Sequence, residues 1–73
     1  MMKNITFQEM KVLGLLGRGN SSEKIAASLG ISIHTVISHR KSLMIKLGAK
    51  NAAELVYRAV QQNILDTSLT DHG

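Results

Sequence analysis

Apolar residues along this chain recur in four clusters at helical spacing, each opened by a hydroxyl or amide side chain and followed by a glycine or asparagine. Thr6-Phe7-Gln8-Glu9 has the form of a capping box, in which the Thr6 hydroxyl and the Glu9 carboxylate satisfy backbone amides reciprocally. Met10, Val12, Leu13, Leu15 and Leu16 follow at helical intervals until Gly17-Arg18-Gly19 interrupts them, which predicts a first helix over about 7–17. A second, over about 22–29, runs through Ile25, Ala26 and Leu29 to Gly30; either Asn20 pairs with Glu23 as a box, or Ser21 caps alone. The third spans about 33–47, capped by the Ser32 hydroxyl and closed by Gly48 in the left-handed conformation. Asn51-Ala52-Ala53-Glu54 repeats the capping-box pattern and opens a fourth helix over about 52–62, closed by Asn63. Ile64 and Leu65 fold back as an apolar latch. The reading is all-α, with residues 1–5 a lead-in, 6–65 one domain and 66–73 a polar, flexible tail.

The third helix organises the rest. Val36, Leu43 and Leu47 share one side of its helical projection, with Arg40 and Met44 at the margin, a narrow stripe suited to a core. The opposite face presents His34, Ser38, Lys41 and Ile45, flanked by Ile37 and Ser42. A short second helix, a tight turn at Gly30-Ile31-Ser32 and a third helix with a polar outer face form the helix-turn-helix signature. Ala26 and Ala27 are small enough to let another helix approach closely.

Charge sharpens this picture. The formal net charge is +4, and no acidic residue occurs between Glu23 and Glu54, a stretch holding Lys24, Arg40, Lys41, Lys46 and Lys50 out of nine cations in all. Uneven placement of that kind favours an anionic partner, nucleic acid being the commonest. Aromatic residues are only 3% of the chain, which leaves few stacking platforms for single-stranded nucleic acid. Seventy-three residues make one small domain. There is no cysteine, and His34 and His39 point to different sides of one helix, so no metal site and no cofactor are expected. No paired carboxylates, no nucleophile with a base in reach and no phosphate-cradling loop argue for an enzyme. No apolar run is long enough to span a bilayer and no secretory signal opens the chain, so the expectation is a cytoplasmic protein with no membrane partner.

On the fourth helix Leu55, Val56 and Ala59 can face the core while Ala53, Tyr57 and Val60 continue the apolar arc around its side. That second stripe is wider than one buried face requires and suggests self-association.

At this point the residues resemble the LuxR-type, or GerE-type, DNA-binding domain of bacterial transcription regulators, without a gap from Ile5 to Leu65. The landmarks are Thr6, Glu9, Val12-Leu13, Leu15-Leu16, Gly19, Ser21, Ile25-Ala26, Leu29, Ile31-Ser32, Thr35-Val36, His39, Lys46-Leu47-Gly48, Asn51, Glu54, Val56 and Ala59. The resemblance implies a four-helix domain whose third helix enters the major groove and whose fourth supports a homodimer on two half-sites. Base edges would be read by Ile37, Ser38 and Lys41, with His34 beside them. Lys41 suits guanine O6 or N7, Ser38 several bases, and Ile37 a thymine methyl. Ser21, Ser22, Thr35, His39, Arg40, Lys46 and Lys50 would approach phosphates, since hydroxyls, cations and helix N-termini all suit phosphate oxygens. Such domains commonly have lysine where Ile37 stands, so this chain has one cation fewer on its groove face. The function implied is a sequence-specific regulator of transcription, free-standing or the effector part of a longer one, with RNA polymerase a possible contact. The rival is a protein-interaction module that keeps the fold but heterodimerises with related regulators through Ala53, Tyr57 and Val60 and titrates them.

Overall fold

The computed structural model describes residues 4–65, which form four helices in the order α1 (Phe7–Gly17), α2 (Ser22–Leu29), α3 (Ile33–Leu47) and α4 (Ala52–Gln61). Local chemistry sets these limits. Thr6 and Glu9 form the full capping box at α1, with the Glu9 amide donating to Thr6 Oγ1 at 3.1 Å and the Thr6 amide to Glu9 Oε1 at 3.0 Å. Ser21 alone caps α2, accepting from the Lys24 amide, because the Asn20 carboxamide donates instead to the Leu15 carbonyl at 2.9 Å and closes the end of α1. At α4 only half of the expected box forms. Asn51 Oδ1 accepts from the Glu54 amide, whereas the Glu54 carboxylate turns to the Lys50 amide, one residue upstream, at 2.8 Å.

The turn between α2 and α3 is three residues long, and Gly30 makes it possible. Its φ is +67°, and the Ile31 amide reaches back to the Ala26 carbonyl at 3.1 Å, so the chain reverses while satisfying the orphan carbonyls of α2. Open space surrounds the position where a Cβ would stand, so the demand for glycine comes from backbone conformation alone. Gly30→Ala is therefore expected to cost about 1 kcal/mol, read as a lower urea midpoint with an unchanged slope. Asn63, at φ +60°, closes α4 in the left-handed conformation predicted for it, and the Ile64 and Leu65 amides both donate to the Ala59 carbonyl.

The core takes residues from every helix: Val12 and Leu13, Ile25 and Ala26, Val36, Leu43 and Leu47, Leu55 and Ala59, with Leu65 folded back among them. Each large side chain here stabilises the fold by roughly 1.5–3 kcal/mol through burial. α3 is the element shared by all the others, since its inner stripe of Val36, Leu43 and Leu47 is fully enclosed. That enclosure holds its outer face in one orientation.

Candidate nucleic-acid interface

The outer face of α3 stands as the helical projection predicts. His34, Ser38 and Lys41 are exposed in a line, with Ile37 at their flank 40% exposed. Ile45 extends the same line toward the C-terminus and is 82% exposed, leaving an apolar end on an otherwise polar stripe. Ser42 departs from expectation. It does not flank this face but turns toward α1, where its hydroxyl donates to Glu9 Oε2 at 2.7 Å. At the start of α3 the Thr35 amide donates to Ser32 Oγ at 3.1 Å and the two hydroxyls lie 3.0 Å apart, so Thr35 belongs to the cap as well as to the exposed edge.

A second group assembles where α3 passes the beginning of α2. The half-buried Arg40 guanidinium donates to the Ser22 hydroxyl, and Ser21, the cap, stands exposed next to it in the chain. A cation, two hydroxyls and the amide end of a helix thus share one region, a combination that suits an oxyanion. His39 is half-buried on α3, and Lys50 is exposed in the turn before α4.

Lys46 is placed otherwise than expected. Its ammonium lies 2.7 Å from Glu9 Oε1 and 2.6 Å from the Asn4 carbonyl, so its charge is paired within the domain. The reason is Glu9, the one charged residue buried among those described, at 5% exposure. Burial works to raise its pKa, but the hydrogen bond from Lys46, the Thr6 amide, the Ser42 hydroxyl and the charge of Lys46 outweigh it and hold the carboxyl at about 2, against an ordinary 4.5. The sequence carried a signal for this hub. Glu9 falls on the same side of α1 as Val12, Leu13 and Leu16, so its carboxylate points inward and needs partners, and Ser42 and Lys46 stand four apart on the facing helix.

On α4, Leu55 and Ala59 are buried and Val56 packs against the core, as predicted. The second stripe is narrower than expected. Val60 also leans on the core, which leaves Ala53 and Tyr57, the latter 61% exposed, as its outward part. Among the described residues no cluster of His, Cys, Asp or Glu is placed to hold a metal ion, and no helix is long and apolar enough to cross a membrane.

The sequence has counterparts in known proteins. The family of bacterial regulatory proteins named for luxR matches residues 3–59, from the lead-in to the last buried residue of α4. The chain belongs to the LuxR family. As a LuxR-family helix-turn-helix domain it is all-α, as its sequence predicts, and its family is one of DNA-binding transcription regulators. It is also 34% identical over 64 residues to the oxygen regulatory protein NreC of Staphylococcus aureus, in strains JH9, JH1 and NCTC 8325 alike. That match covers 88% of this LuxR-type chain and 30% of NreC, so the chain spans less than a third of the curated relatives it matches. No solved structure matches it significantly.

Proposed function

We propose that this LuxR-family domain binds double-stranded DNA sequence-specifically and regulates transcription as a homodimer, with α3 of each copy in the major groove of one half-site. The observation that carries this reading is the exposed line of His34, Ser38 and Lys41 on a helix whose other side is locked into the core. α3 is 15 residues long, about 22 Å, enough to lie across a groove about 12 Å wide. Lys41 and Ser38 donate to base edges, Ile37 supplies apolar contact to a thymine methyl, and His34 reads from the first turn. Phosphates are held by the Ser21, Ser22 and Arg40 group, by Thr35 at the cap, and by His39 and Lys50 at the flanks. Lys46 acts indirectly, by fixing α3 against α1. RNA polymerase is a further partner of the assembled regulator.

Selection from a random duplex pool, followed by a salt titration on the best site, tests this. A two-fold symmetric site should enrich, and log affinity should fall with log salt by about 0.9 per phosphate neutralised. Weak binding indifferent to sequence would sink the proposal.

The exposed Ala53 and Tyr57 support pairing through α4, either of two identical copies or of this chain with a related regulator. Homodimerisation is the reading adopted; titration of a relative is the alternative. Tyr57→Asp is expected to weaken binding to the symmetric site by about 1 kcal/mol, roughly fivefold, while leaving a single half-site bound as before. Equal loss on both sites would remove α4 from the dimer contact.

A further inference from the structure

We propose that the outer face of α1 is a docking groove for an acidic amphipathic helix of a partner protein, seated across Gly14 between Lys11 and Arg18. Phe7, Lys11 and Gly14 recur at helical spacing and share one side of α1, and Arg18, its C-cap residue, follows them at the same interval. That side is opposite Glu9, Val12 and Leu13, the residues through which α1 meets the core and α3. The groove therefore lies on the side of α1 away from its contact with α3, with Leu29 of α2 at its edge.

Its shape and chemistry are unlike a solvated helix face. Met10, Leu15 and Leu29 supply apolar lining, Lys11, Arg18 and Gly14 complete the edge, and the opening holds about 320 Å³. Lys11 lies 4.9 Å from the centre of the Phe7 ring, and Phe7 itself is 78% exposed. Neither Lys11 nor Arg18 has a carboxylate within ion-pair distance among the described residues. A groove with an apolar floor and two unneutralised cations complements carboxylates flanking an apolar side chain.

Gly14 is the second, independent observation. Glycine inside a helix lowers its stability relative to alanine, and it leaves the backbone open to close approach. Nothing within the domain makes that approach here, since a Cβ at Gly14 would meet no atom within 4 Å. The missing side chain leaves room for a knob from outside. Lys11 and Arg18 are two turns apart, about 10.5 Å along the axis, with Gly14 between them. A partner helix reading Glu-x-x-Leu-x-x-x-Glu places its carboxylates at that separation and its leucine over Gly14. A nucleic-acid backbone offers no apolar knob and leaves the floor uncovered, so a protein helix is the better occupant.

The test is a titration of the isotope-labelled chain with a capped helical peptide carrying that Glu and Leu pattern, followed by NMR. Shifts should be confined to residues 10–18 and the neighbourhood of Leu29. The double charge reversal Lys11→Glu with Arg18→Glu should weaken binding at least tenfold and should bind the same peptide with lysine in place of its glutamates. Gly14→Met, which fills the notch with a good helix former, should also weaken binding tenfold, yet leave affinity for a selected DNA site unchanged. Gly14→Ala should raise Tm by a few degrees, showing that the position is not needed for folding. Shifts that appear only on α3, or equal peptide binding by Gly14→Met and the parent chain, would overturn the proposal without touching the DNA reading.

Discussion

Replacing Lys41 with alanine is expected to relax sequence preference at one base pair of each half-site and to cost about 1–3 kcal/mol of affinity for the preferred base, roughly 5- to 150-fold. Lys41 is exposed on the outer face of α3, one turn after Ser38, and no carboxylate pairs with it among the described residues. On the proposed reading Lys41 donates to guanine O6 and N7, and only at that base should its loss discriminate. Lys50 supplies the contrast, since it lies in a turn and not on the outer face of α3. Lys50→Ala should weaken all duplexes alike and lower the salt slope by about 0.9. Binding of both variants to the selected site and to single-base variants of it, at two salt concentrations, separates these outcomes. A uniform loss for Lys41→Ala would move it to the phosphate contacts. Neither substitution touches the core, so the urea midpoint should stay within about 0.5 kcal/mol of the parent.

The limits of the helices were readable because they are set by groups within a few residues of one another. Thr6 with Glu9, Ser32 with the Thr35 amide, Gly30, Gly48 and Asn63 all act locally, and each stands as its residue type predicts. The inner stripe of α3 was readable for the same reason, since 3.6-residue spacing places Val36, Leu43 and Leu47 together whatever surrounds them. Readings failed where two local partners competed or where the partner was distant in sequence. The start of α2 offered Asn20 or Ser21 as its cap, and the choice of Ser21 was made by Leu15, whose carbonyl takes the Asn20 side chain. Spacing on α4 shows which residues neighbour one another but not how far the helix is rolled toward the core, and that roll decides that Val60 packs inward while Tyr57 does not. Lys46 looked like a free cation because its partner Glu9 lies 37 residues away.

That pair carries the largest expected effect on stability. Lys46→Met leaves the Glu9 carboxylate buried with only the Thr6 amide and the Ser42 hydroxyl as donors; because the ammonium is partly exposed, the loss should fall at the lower end of the roughly 3–5 kcal/mol that removing one partner of a fully buried pair costs. A domain of this size has roughly 4–11 kcal/mol in total, so the variant should lose much of its folded population's margin at pH 7. The pH dependence identifies the cause. Glu9 titrates at about 2 in the folded chain and near 4.5 when unfolded, so between those values the unfolded chain binds the extra proton. The stabilisation is fully present above about pH 5.5, falls as the pH drops through 4.5 toward 2, and amounts to roughly 3 kcal/mol. Urea midpoints at pH 7 and pH 3 should therefore differ strongly for the parent chain and much less for Glu9→Gln, which keeps an acceptor for the Thr6 amide but has no charge to titrate. Lys46→Met should also flatten the acid response, because burial still raises the Glu9 pKa while the strongest opposing contact is gone. The same acid slope in the parent and in Glu9→Gln would assign acid sensitivity to other carboxylates. Because Glu9 also fixes Ser42 and Lys46 of α3 to the cap of α1, Lys46→Met should weaken DNA binding even under conditions where it remains folded, through the orientation of a helix whose reading face it does not touch.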